Sequence, residues 1–470
     1  MSEITGLSAV EIVRKASSGE LSIVDIVEAH IARIEQVNPQ INAVVTPTFE
    51  QARREAQAAD QQRVQGSPLP PLYGLPITIK DSLDVAGAAA TCGMLARKDR
   101  IAEKDAAVVE CLRRAGAIVL GKTNTPEVCW AQETTNLLYG RTNNPWNLAH
   151  SVGGSTGGEA AIIAAGGSPL GMGSDISGSI RMPAAFTGIV GLRPTSATLD
   201  ETGHYPYATG RLADLEAVGP MARRVEDVAL AFAVLTNRPY REPDTAILSG
   251  QKVAYWFGGG LMSPQAEIRA AVSAAVGALE KAGMQTIEKS VSKRVRFSAV
   301  GWLAYVDAPG RKAIDDAFMA GSVWQEMRNQ RQGKQKISAE STQYWMSSTL
   351  SAIFEKLFDG ARWRERLYAN FLEWVGEKGV VVCPIHPTTA PKHGWQKSLS
   401  FLTIDYQQWV NLAGLPGLTV PIGVDANGLP TAVQIVGARG REDVILAAGM
   451  AIQQAVMPTW RGPDLNGTVG

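Results

Sequence analysis

Two long stretches of the chain alternate short β-branched strands with helices, and that alternation restricts the fold more than any other feature. Leu75-Pro-Ile-Thr-Ile-Lys80 reads as a strand delivering Lys80 at its end. Ala106 to Ala115 reads as a helix, Gly116 as its cap and Ala117-Ile-Val-Leu120 as the next strand. The rhythm returns with helix Val225–Leu235, strand Lys252–Trp256 and helix Pro264–Ala282, then strands Val380–Cys383, Leu418–Ile422 and Ala432–Val436 and helix Glu442–Val456. Such a chain builds an α/β fold, a sheet with helices on its faces. No clean linker and no internal repeat interrupts it, so a single domain over residues 1–470 is expected. Residues 1–65 are expected as an N-terminal helical segment packing on it. Ser8 and Ser22 read as N-caps there, the second followed by Ile26, Val27, Ile31 and Ile34 at helical spacing, and a third helix covers Phe49–Gln62.

Between Gly301 and Trp409 the rhythm loosens, and seven of the eleven tryptophans gather there. Residues 300–410 are therefore expected to form a variable region that shapes a substrate pocket, since grouped aromatic side chains suit apolar ligands. The 45 basic and 45 acidic side chains cancel, which removes the electrostatic argument for a nucleic-acid partner. No run approaches the ~18 apolar residues of a membrane span. The N-terminus lacks the basic-then-apolar order of a secretory leader, so a cytoplasmic location is expected. The four cysteines, Cys92, Cys111, Cys129 and Cys383, lie far apart with no CxxC pair; no metal site and no cofactor are expected.

Three motifs fail their context. Gly116-Ala-Ile-Val-Leu-Gly-Lys-Thr123 matches the phosphate-loop pattern, but a helix precedes it and its interior is strand material. Ser290-Val-Ser-Lys293 stands alone in a basic stretch. Gly153-Gly-Ser-Thr-Gly157 fits the nucleophile elbow and would want a partner such as His386 or His393, yet Asn147-Leu-Ala-His-Ser-Val152 is a poor strand to feed it. The five histidines form no pattern.

Glycine supplies the functional signal. Eleven of the 47 glycines fall between Gly153 and Gly191, in GGSTGGEAAIIAAGGSPLGMGSDISGSIRMPAAFTGIVG. Ser155 sits in a loop opening onto a helix, where backbone N–H groups are unpaired. Asp175-Ile-Ser-Gly-Ser179 places another serine in a tight turn, whose small residues let several N–H groups aim at one point. Two such serines and a lysine at a strand end are the parts of a Ser–Ser–Lys acyl-transfer site. A lone serine hydroxyl is a poor nucleophile and needs a base; a lysine serves when burial leaves its amine neutral.

The stretch Gly153–Thr195 closely resembles the signature of the amidase signature family of serine hydrolases, with the fatty acid amide hydrolase pattern a near match. The resemblance also takes in Gly74-Leu-Pro-Ile-Thr-Ile-Lys-Asp81, Gly121-Lys-Thr-Asn-Thr-Pro-Glu127, Asn144-Pro-Trp-Asn147, Val218-Gly-Pro-Met-Ala-Arg223, Asn411-Leu-Ala-Gly-Leu-Pro416 and Leu429-Pro-Thr-Ala-Val-Gln434. It implies the family's fold, a large mixed twisted β-sheet covered on both faces by helices. It implies Ser179 as the nucleophile, Ser155 as a bridging serine after a cis Gly154–Ser155 bond, and Lys80 as the base. The N–H groups of Ile176, Ser177, Gly178 and Ser179 would form the oxyanion hole, with Thr156, Asp175 and Arg181 in support. Two positions depart from the family. Ser177 stands where a glycine is usual, so a left-handed backbone there would carry a Cβ penalty. Thr156 replaces a common serine.

The activity so implied is an amidohydrolase cleaving linear C–N bonds of small aryl or alkyl amides, with esters and carbamates (urethanes) open to the same attack. Alternative readings are the glutamine-amidase subunit of a tRNA-dependent amidotransferase and a biuret- or allophanate-type hydrolase. The expected partners are a small-molecule amide or carbamate and, in a homodimer, a second copy of the chain. No nucleic acid and no membrane span are expected.

Overall fold

The computed structural model describes residues 3–65, 68–319, 321–460 and 462–465; the outer ends of the expected 1–470 span lie outside them. Eleven strands form one sheet: β1 (Val44–Pro47), β2 (Pro76–Lys80), β3 (Ile118–Thr123), β4 (Leu170–Ser174), β5 (Val190–Arg193), β6 (Val218–Ala222), β7 (Lys252–Tyr255), β8 (Gln285–Glu288), β9 (Val380–Cys383), β10 (Gly417–Val424) and β11 (Pro430–Val436). Their spatial order is β1-β3-β2-β4-β6-β5-β10-β11-β9-β7-β8. Strands β3, β2 and β4 run parallel, as do β9, β7 and β8, and the remaining pairings are antiparallel. The fold is therefore the mixed, helix-covered sheet that the resemblance implied. Every residue of β2 and β4 is buried, as strands covered on both faces require.

The N-terminal helices form as their caps dictate. Ser8 Oγ accepts from Glu11 N–H while Glu11 reaches back to Ser8 N–H, and Ser22 Oγ accepts from Asp25 N–H. Ile26, Val27, Ile31 and Ile34 are all buried on one face of helix Ile23–Ile41. The phosphate-loop look-alike resolves into the cap Gly116 and strand β3. Strand β1 and two long helices, Ala339–Leu357 and Gly360–Val375, were not legible in the sequence. The buried face of Ala339–Leu357 carries Ser341, Thr342, Ser348 and Ser351 beside Trp345, so small hydroxyl side chains hide the apolar period. No helix among the described residues is long and apolar enough to cross a membrane.

Candidate active site

Lys80 and Ser174 are the last residues of the parallel neighbours β2 and β4, which are in register at Ile79 and Met172. Ligand sites of α/β folds gather beyond such carboxyl ends. Lys80 Nζ donates to Ser155 Oγ at 2.7 Å and to Ser174 Oγ at 3.0 Å, and all three side chains are buried. Ser155 follows a cis Gly154–Ser155 peptide bond. The helix after it, Gly157–Ala164, begins hard against the backbone of Asn124. A Cβ on Gly158 would lie 2.4 Å from Asn124 N, so only glycine permits that approach.

Asp175 organises the turn that carries Ser179. Its carboxylate accepts from Gly178 N–H at 2.7 Å, Ile180 N–H at 3.2 Å, Arg181 Nε at 3.0 Å and Asn411 Nδ2 at 2.9 Å. Arg181 also donates to Gln434 Oε1 at 2.9 Å and Asn411 Oδ1 at 2.6 Å. A second buried cation, Arg193, stands 3.9 Å from Asp175. Burial alone would raise the Asp175 pKa; the two guanidinium groups and Asn411 overrule it and hold the carboxyl well below the usual range. Burial brings Arg193 down to about 9.

Within the expected oxyanion cradle, Gly178 N–H donates to Asp175 Oδ1 at 2.7 Å. Among the described residues, the N–H groups of Ile176, Ser177 and Ser179 meet no acceptor. The left-handed backbone lies at Gly178 (φ +95°), where Gln407 leaves no room for a Cβ; Ser177 has no positive φ and escapes the expected penalty. Thr156 ties the two serine loops together, its N–H donating to Ser179 O at 3.2 Å and its hydroxyl to Ser174 O at 3.1 Å.

Several site residues carried no signal in the sequence. His204 Nε2 lies 2.9 Å from Ser174 Oγ, and its Nδ1 3.2 Å from Glu216 Oε1, extending the lysine's network by two further groups. Burial opposes the charge on His204, but Glu216 and Cys129 prevail and lift it to about 9. Glu159, facing Thr78 and Thr123, is pushed up to about 8 by burial, which outweighs those hydrogen bonds and the nearby Lys80. By contrast, His386 bonds Thr388 and His393 bonds Glu133 and Leu148 O, so neither completes an elbow around Ser155. The strand before that loop, Asn147–Ser151, pairs with Asn143–Asn144 and bridges Lys392 through His150, outside the main sheet.

Two cavities meet at Ser179. The smaller also touches Ser155, Ser174 and Glu216. The larger, about 160 Å³, runs beneath helices Ser298–Tyr305, Ala339–Leu357 and Trp395–Thr403. Cys129, Trp130, Ile176 and Ser179 border both. Of the seven clustered tryptophans, Trp302 lines the larger cavity; Trp345 and Trp409 are core, and Trp324 and Trp395 are exposed. A hydroxyl with free backbone donors beside it, a buried serine–lysine pair and an apolar cavity opening at that hydroxyl together suit acyl transfer.

The chain is similar to known proteins along nearly its whole length. Fatty-acid amide hydrolase 2-A of Danio rerio is 33% identical, the match covering 97% of this chain and 90% of the relative. A glutamyl-tRNA(Gln) amidotransferase chain of Carboxydothermus hydrogenoformans is 33% identical, with 96% and 98% covered. The solved structure of a 6-aminohexanoate cyclic dimer hydrolase superposes with a TM-score of 0.80 at 26% identity, covering 98% of this chain and 99% of the other. With the amidase family profile matching residues 25–446, the chain belongs to the amidase signature family and is a hydrolase of C–N amide bonds.

Proposed function

We propose that the chain hydrolyses small amides with an apolar arm through an acyl-enzyme on Ser179, with Ser155 relaying protons to Lys80. The 2.7 Å contact between Lys80 Nζ and Ser155 Oγ, in a pocket wall shared with Ser179, carries this reading. Ser179 Oγ attacks the carbonyl carbon while its proton passes through Ser155 to the Lys80 amine. The oxygen that becomes negative rests on the N–H groups of Ile176, Ser177 and Ser179, aimed before reaction begins. Collapse breaks the C–N bond, and the same relay in reverse protonates the departing nitrogen. Water then attacks the acyl carbon, gives its proton to the relay and releases the acid. Asp175 and Arg181 hold the turn, and residues 300–410 shape the arm's chamber.

The apolar walls of the larger cavity favour aryl or alkyl amides over free glutamine. Esters and carbamates present the same carbonyl to the same attack.

Labelling with a fluorophosphonate followed by peptide mass spectrometry tests the assignment. Ser179 should carry the adduct, and Ser179→Ala and Lys80→Ala should each lose nearly all turnover while staying folded. Ser155→Ala should lose less than Ser179→Ala. Full activity in Ser179→Ala or Lys80→Ala would sink the mechanism.

A further inference from the structure

We infer that the preferred substrates carry a second amide or carbamate group in the arm that fills the larger cavity, read there by the side chains of Gln408 and Ser177. The inference rests on the acyl-transfer reading above and names its substrate class.

The cavity's polar side chains divide into two sets. Gln132 is engaged at both ends, donating to Gln407 Oε1 at 3.1 Å and accepting from Tyr344 at 3.3 Å and Gln396 at 3.0 Å. Gln343 and Ser400 donate to Lys397 O at 3.2 and 3.0 Å, and Ser347 Oγ accepts from Trp130 Nε1 at 3.3 Å. Ser179 aside, the exceptions are Gln408 and Ser177. Gln408 is 5% exposed, and its Oε1 is buried with no partner; Ser177 Oγ is likewise buried and unmet. Both residues line the cavity, whose other walls include Trp302, Leu303, Met346, Leu350 and Phe401.

Buried polar atoms are satisfied with few exceptions, and an exception on the wall of a chamber marks where a ligand's polar group completes the set. A carboxamide offers a carbonyl and an NH₂ in one plane. The ligand group that answers both at once is another amide or a carbamate, which presents N–H and C=O together. An ester answers only the donor, and a methylene chain answers neither. Position supports the same conclusion. Ser177 is two residues from Ser179, and Gln408 follows Gln407, whose side chain abuts Gly178 in the same turn. Ser177 also stands where the family resemblance leads one to expect glycine, so its hydroxyl is a feature of this chain.

Matched substrates test the assignment. An anilide series would carry, in the acyl arm, a mid-chain amide, an ester or a two-methylene isostere; a second series would carry the same changes in the amine arm. In one of the two series the amide-bearing member should exceed the isostere in kcat/KM by at least about 10-fold, as sites built to hydrogen-bond their substrates do. Gln408→Leu should cut that ratio several-fold, and Ser177→Gly should cut it as well. A wild-type ratio near unity in both series would overturn the inference and assign the two polar groups to water. So would an unchanged ratio in Gln408→Leu; should that variant not fold, Ser177→Gly decides. Failure of the acyl-transfer reading would show separately, as turnover surviving in Ser179→Ala.

Discussion

Asp175→Asn would remove the anion that Arg181 and Arg193 both face, and the structure sets the size of the loss. Both guanidinium groups are fully buried, with Arg181 Nε 3.0 Å and Arg193 Nε 3.9 Å from the carboxylate. Breaking one side of a buried pair costs about 3–5 kcal/mol, because the remaining charge stays dry and uncompensated. A carboxamide cannot substitute locally. One carboxylate oxygen accepts from Gly178 N–H and Asn411 Nδ2, the other from Ile180 N–H and Arg181 Nε, so the NH₂ introduced by the substitution would face donors whichever way it turned. The carboxyl's folded pKa lies below its unfolded value. Its contribution is therefore complete above the unfolded pKa and is lost only as pH falls through the folded one. At pH 7 the wild type holds all of it. Unfolding entropy of about 2.1 cal/mol/K per residue, over a chain of this length, amounts to roughly 1 kcal/mol/K, so the melting temperature should fall by about 3–5 °C. Calorimetry at pH 7 reads this directly. A melting temperature within about 1 °C of wild type would refute the argument that this carboxylate neutralises the two arginines.

Two further perturbations probe buried groups outside the proposed triad. Glu159 has its pKa raised to about 8, so the folded state keeps a proton that the unfolded chain releases near 4.5; its contribution is complete below that pH and lost as pH rises toward 8. Glu159→Gln should erase that component, flattening the decline in unfolding free energy between pH 5 and 9 by about 4 kcal/mol, and equal slopes in both proteins would contradict it. Cys129 borders both cavities, so a small methanethiosulfonate should abolish turnover in the wild type and spare Cys129→Ala. Undiminished activity with Cys129 stoichiometrically modified would show that its sulfur does not face the reacting centre.

Helix Val225–Leu235, strand β9 and helix Glu442–Val456 begin and end where their sequence patterns do, because each is a clean apolar run with clear punctuation. Ser155, which Lys80 contacts, and Ser179, on the wall of the same cavity, lie in glycine-rich loops whose local composition marks them. His204, Glu216, Cys129 and Gln408 had no comparable mark. Each stands alone in its segment, and only the sheet order and the packing of helix Asp405–Ala413 against Gly178 bring it to the site. Asn411 and Gln434 occupy an intermediate case. The segments containing them were noticed, but the task of Gln434 in holding Arg181 depends on β10 lying between β5 and β11, and that of Asn411 on a helix packed beside the turn, long-range placements that local periodicity does not encode.

The meeting of two chambers at one hydroxyl bears on the order of events in a turnover. In the acyl-enzyme proposed above, with its arm seated on one side, the amine would depart from the other side without disturbing it. The vacated space would then admit water to the face of the carbonyl that the nitrogen has just left. Expulsion and rehydration would share a doorway, and the length of time it stays blocked by a slow-leaving amine would set how long the acyl-enzyme survives.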